Sequence, residues 1–249
     1  TDKGNITHEI LAVPTKENYR TNVIGNLLTK ETKFEIIVDA EFEAPKNAPE
    51  QIVAGTIDDL QYALDNAIVG DNTIFLGNDM AGDVWVHQKS GVNIELIGQD
   101  RTFDGTIRIH NGSNYNDATF TVKGVNFKTS TESLNFIMPN DFDRVDGVTR
   151  RYSNNVIVEG CTFTGNGKDV DVALRWKTAY GAVIKDCTGT GLHSFLQNTA
   201  GKNLTIDNVK VTESKGAFAL GTVQGVTIKG STIDVATYGI RLDANTYNN

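Results

Sequence analysis

Phe120-Thr-Val-Lys-Gly124, Val156-Ile-Val-Glu-Gly160, Ala182-Val-Ile-Lys-Asp186, Leu204-Thr-Ile-Asp-Asn208 and Val226-Thr-Ile-Lys-Gly230 repeat one pattern: apolar, variable, β-branched, charged, turn-forming. Their fifth residues are 36, 26, 22 and 22 apart. Upstream, Ile94-Glu-Leu-Ile-Gly98 adds a step of 26, and Thr73-Ile-Phe-Leu-Gly77 a looser one of 21. A recurring period of this size, with two short strands per repeat and no helical pattern between them, describes stacked coils of strand and excludes helical repeats. Leucine-rich repeats lack support because their Leu-x-x-Leu-x-Leu-x-x-Asn signature is missing. The expectation is an all-β, right-handed, single-stranded parallel β-helix of about seven coils.

Alternation assigns the faces. On a strand of period 2 the first and third residues of each segment share one side. Phe120 with Val122, Val156 with Val158, Leu204 with Ile206 and Val226 with Ile228 therefore point inward. Thr121, Lys123, Glu159, Lys185, Asp207 and Lys229 point to water. The fifth position supplies the bend, after which Val125, Cys161, Cys187, Val209 and Ser231 resume at one register. Leu174, Leu196, Leu220 and Leu242, with steps of 22, 24 and 22, read as a second inward column. Cys161 and Cys187 then face the same way one coil apart, which suits a buried thiol stack better than disulfide torsions.

A solenoid has to cover its first coil, or an apolar cross-section and open strand edges meet water. Residues 56–69 fit that task, with Thr56 as N-cap, Asp58 and Asp59 in the first turn, and Ile57, Leu60, Leu64 and Ala67 or Ile68 on one helical face. This segment, followed by Gly70-Asp-Asn-Thr-Ile-Phe-Leu76, resembles the capping helix and first coil of pectin-lyase-like β-helix proteins, a resemblance that covers residues 55–249.

Residues 1–44 carry alternating strands such as Phe34-Glu-Ile-Ile-Val38 and no 22-residue step. Residues 45–54, with Pro45 and Pro49, read as a linker. Tyr19-Arg-Thr-Asn-Val-Ile-Gly-Asn-Leu-Leu-Thr29 and Phe34 to Phe42 resemble the closing strands of fimbrillin-like surface proteins of anaerobic Gram-negative bacteria. That resemblance implies the C-terminal part of a longer exported protein, extracellular or at the bacterial cell surface and associated with the outer membrane. An ordinary β-hairpin is the competing reading.

Lys and Arg total 23 against 31 Asp and Glu, a net charge of −8, which repels a phosphate backbone and argues against nucleic acid as a partner. No run approaches the roughly 20 apolar residues of a membrane span. Two cysteines are too few for a disulfide scaffold. No Ser-His-Asp or Cys-His set, phosphate loop or zinc spacing is apparent, so no cofactor is implied.

The residues that could carry chemistry lie in an outward row beside the leucines: Asp171, Arg175 and Lys177 in one coil, His193 and Gln197 in the next, Arg241 and Asp243 in the last. Ala217, Ala219 and Gly221 fall between. The simplest reading is solvated side chains alternating with Val172, Leu174 and Trp176. Trp176 alternates inward and Phe195 outward, which makes Phe195, Gln197, Arg175 and Arg241 the candidate ligand-binding residues.

Pectin-lyase-like enzymes work with a carboxylate cluster and an Arg or Lys base, or with paired Asp residues. The resemblance thus nominates Asp171, Arg175, Lys177 and His193 if the chain is catalytic, with Asp169 and Asp171 as the available carboxylate pair. The long step before Gly160 holds Asp141, Asp143, Arg144, Asp146, Arg150 and Arg151, an insertion read as a loop over 128–153 that walls a groove. Asp141, Asp143 and Asp146 are the calcium candidates, without EF-hand spacing, against a loop bridged by Asp–Arg pairs. Three functions compete: a non-catalytic surface module binding glycan or another extracellular ligand along the flank, a polysaccharide lyase or glycoside hydrolase acting on acidic polysaccharide, and a structural stalk. Fold alone does not choose among them.

Overall fold

The computed structural model describes residues 21–25, 34–38, 50–110, 118–128, 135–139, 143–145, 148–150, 153–166 and 171–243. Two compact units divide at residue 48. In the first, Thr21–Gly25 pairs antiparallel with Phe34–Val38.

The second unit is a parallel β-solenoid of about seven turns, with three strand-bearing faces joined at bends. The first face is set by the repeat. Its central inward column runs Ile52, Ile74, Leu96, Val122, Val158, Ile184, Ile206 and Ile228, each in register with the next. From Ile74 to Ile206 every member is fully buried. Eight like side chains stacked at about 4.8 Å spacing give a continuous apolar core in which a one-residue slip would turn the whole strand inside out.

The second face follows the bend, with Met80, Phe103, Phe127, Phe163, Gly189, Val211 and Ile233 in register. The third carries Val84, Ile107, Ile137, Leu174, Leu196, Phe218 and Ile240.

The bend between first and second faces explains the fifth position of the repeat. Gly124, Gly160, Asp186, Asn208 and Gly230 have φ between 51° and 61°, a left-handed conformation that Gly, Asn and Asp tolerate best. Asn208 also reaches across one coil, donating from Nδ2 to Asp186 Oδ1 at 2.7 Å. A second such column, Asn155, Gly181, Asn203 and Gly225, turns the chain back onto the first face.

Outside the first face the fourth residues form a ladder of alternating sign: Lys123, Glu159, Lys185, Asp207, Lys229 in successive coils. Glu159 lies 3.0 Å from Lys185 and 3.6 Å from Lys123, and Lys229 lies 3.0 Å from Asp207. Lys123 also pairs with Glu95, and these carboxylates raise its pKa. Thr121, expected in water, is only 9% exposed.

Several expectations change. The 45–54 linker is too long, because Glu50–Ala54 is already a strand paired with Gly70–Leu76. The four leucines are not one column: Leu174 and Leu196 continue to Phe218 and Ile240, whereas Leu220 and Leu242 follow Trp176 and Asn198. The step of 24 hops between two adjacent inward columns that each keep 22. The Thr73 segment is one residue out of phase, since Asn72, Ile74 and Leu76 are the buried positions and Asn72 is the register partner of Ile94.

Nor is 128–153 wholly loop. Asn135–Pro139 is a third-face strand that places Ile137 between Ile107 and Leu174. Asp143–Val145 and Val148–Arg150 form a small antiparallel hairpin with Asp143 opposite Arg150. Cys161 and Cys187 are both buried and free, each sulfur close to backbone carbonyls of its own and the preceding coil. Burial pushes the Cys161 thiol pKa well up.

The helix Ile57–Asp65 starts in a capping box, with Thr56 Oγ1 accepting from Asp59 N and Asp59 Oδ2 accepting from Thr56 N. It buries Leu60, Ala63 and Leu64 in the common core.

Candidate functional site

The outward side of the third face carries the row that the sequence proposes. Because its strands are parallel and in register, every second residue lines up along the solenoid. Trp85 is opposite Arg108, position 108 is opposite 138, and Arg175, Gln197, Ala219 and Arg241 continue in single steps. Arg175 and Arg241 are thus three coils, or about 14 Å, apart.

Each basic residue in the row has a different setting. Arg108 is held by Asp83, 2.9 Å away, with its guanidinium 5.5 Å from the Trp85 ring centroid. Arg241 is paired with Asp243 at 2.8 Å and lies over the Tyr238 ring, and the carboxylate raises its pKa. Arg175 is partly exposed, its Nε is buried with no hydrogen-bond partner, and desolvation lowers its pKa. Among the described cations of the row it is the one without a carboxylate partner.

Asp171 does not join the row. Its side chain is fully buried and Oδ2 accepts from Asn166 N at 2.9 Å, because residue 171 sits at the bend where the chain enters the third face. His193 occupies the same bend one coil on. Its backbone N donates to Asp171 O and its carbonyl accepts from Gly216 N, while ring Nδ1 is buried without a partner. Both precede the regular strand, so the alternation that places Arg175 and Gln197 outward does not extend to them.

Phe195 is fully buried, contrary to its expected outward position. It packs edge-on against Phe163 and Phe218. Gly189 is the reason: it is the register successor of Phe163, and a Cβ there would lie 2.4 Å from the Phe195 ring. The aromatic stack Phe103, Phe127, Phe163 therefore passes through Phe195 to Phe218 by crossing from one face to the next.

The outward aromatic is Trp85 instead. Its signal lay in Val84-Trp-Val-His87, where Val84 and Val86 are buried and Trp85 is not. Asp141, Asp146, Asp169 and the side chains of Asp143 and Lys177 lie outside the described residues. Among the described residues no three His, Cys, Asp or Glu come together in a metal-holding group, and no helix is long and apolar enough to cross a membrane. A shallow recess of about 410 Å³ lies on the first face over Asp71, Asn93, Glu95 and Thr119. Its central Asn93 is engaged at both ends of its amide, by Asp71 Oδ1 and Thr119 N.

The architecture and the row define a parallel β-solenoid with a register-aligned polar strip. No protein-family model, no curated protein and no solved structure matches the chain, so its likeness to pectin-lyase-like and fimbrillin-like proteins rests on the quoted residues.

Proposed function

We propose that the chain is a non-catalytic extracellular or cell-surface module that binds glycan, or another elongated surface ligand, along the outward strip of its third face. The observation that carries this reading is Arg175: a partly exposed guanidinium with no carboxylate partner among the described residues, in register with Gln197 and Arg241 along one line. A linear array of hydrogen-bonding groups at one-coil spacing suits a linear polymer better than a compact metabolite, and the partly exposed Trp85 adds an apolar surface for a sugar ring. Asp171, the one described residue of the nominated carboxylate pair, is withdrawn into the core, and on that ground we rank binding above catalysis.

The same reading takes the solenoid as right-handed, because parallel strand crossovers are right-handed in about 98% of cases. It takes the helix Ile57–Asp65 as the cap of the first coil. The experiment is binding to immobilised acidic and neutral glycans of plant and host origin, with and without calcium. Arg175→Ala should weaken binding about tenfold or more, in line with a lost charged hydrogen bond of about 1.5–3 kcal/mol. Binding untouched by that change would sink the assignment of the strip. Release of unsaturated or reducing ends, abolished by Arg175→Ala, would make the protein an enzyme instead.

A further inference from the structure

The last strand, Thr232–Leu242, pairs on one side with Lys210–Lys229, and among the described residues nothing pairs with its other side. Among the described residues, the coil it closes is the least covered part of the core. Ile240 is 51% and Leu242 78% exposed, although their register predecessors Phe218 and Leu220 are buried. Ile233, Val235, Val226 and Ile228 are only partly buried. An apolar cross-section rimmed by free backbone N–H and C=O groups is a template for another strand.

We infer that a second copy of this chain covers this end, tail to tail, by antiparallel self-pairing of Thr232–Leu242 about a two-fold axis between Thr237 and Tyr238. The strand's own pattern selects that axis. Ile233, Ile240 and Leu242 continue inward columns, whereas Asp234 and Arg241 follow the outward positions Thr212 and Ala219. An axis passing through a residue would set inward positions against outward ones, which the pleat forbids.

Of the axes between residues, this one places Ile233 opposite Leu242, Val235 opposite Ile240 and Asp234 opposite Arg241. A shift of the axis by one residue toward the C-terminus would set Asp234 against Asp243. A shift of one the other way would leave Asp234 opposite Gly239. The axis also falls close to the bend between second and third faces, so that the second-face strand of one copy lies over the third-face strand of the other. Such an isologous contact closes on itself and does not propagate into a filament.

Sedimentation equilibrium of the whole chain at low ionic strength should show a monomer–dimer equilibrium. Asp234→Arg or Arg241→Asp alone should raise the dissociation constant at least tenfold, and the two combined should recover most of that loss, because the reversed charges again face each other while Asp243, the intrachain partner of Arg241, stays in place. Both side chains are exposed, and circular dichroism of each variant monitors the fold. Independently, Thr237→Cys should give a disulfide-linked dimer under a small-molecule disulfide oxidant, as the axis brings the two copies of residue 237 together, whereas Lys210→Cys should not. A monomer at every concentration, a dimer indifferent to both single reversals, or a combined variant as dissociated as the single ones would overturn the inference.

Discussion

Gly189 and Phe195 act as a pair. The ring of Phe195 occupies the volume that a side chain at 189 would need, so Gly189→Ala is expected to cost about 1–3 kcal/mol by overpacking, seen as a lower melting temperature. Phe195→Ala should cost about 3–5 kcal/mol as a cavity opens in the aromatic stack. If Phe195 were instead a surface ligand contact, its removal would leave the melting temperature in place. Asn198, inward and 2% exposed with neither end of its amide partnered, sits between Trp176 and Leu220; Asn198→Leu should raise the melting temperature by removing buried unsatisfied polar atoms.

Strands and bends differ in how plainly the sequence announces them. First-face strands were legible because their period-2 alternation and the Gly, Asp or Asn after them answer to separate requirements, core burial and a left-handed backbone, that coincide every 22 residues. The outward line of Arg175, Gln197, Ala219 and Arg241 was legible for the same reason. Asp171 and Phe195 were misread because they lie at or next to the bend into the third face, where consecutive residues Ser194, Phe195 and Leu196 are all buried and alternation carries no information. The leucine column failed because two inward columns two residues apart both accept leucine. Charge alternation along the first face adds a register lock whose strength is measurable. The carboxylate of Glu159 faces two lysines, so Glu159→Lys would line up three cations in adjacent coils. These side chains are about one-third exposed, so the expected loss is less than about 1 kcal/mol and should shrink further in 1 M salt. A loss independent of salt would point to packing instead of charge.

In a solenoid each coil touches only its neighbours, so stability is a sum of local contacts and the ends matter most. Leu64, 1% exposed in the helix Ile57–Asp65, is the sensitive point at one end. Leu64→Asp should destabilise the solenoid by several kcal/mol through an unpaired buried carboxylate; an unchanged melting temperature would show that the helix is not integral to the first coil. The alternating ladder Lys123, Glu159, Lys185, Asp207, Lys229 has a consequence for the removal of whole coils. Excising residues 187–208 removes a whole coil and preserves every inward column, yet it sets Lys185 beside Lys229. Excising 161–208 removes two coils and sets Glu159 beside Lys229, opposite in sign. The single-coil deletion therefore creates a like-charge contact that the two-coil deletion avoids, so that coil number carries a parity written in charge.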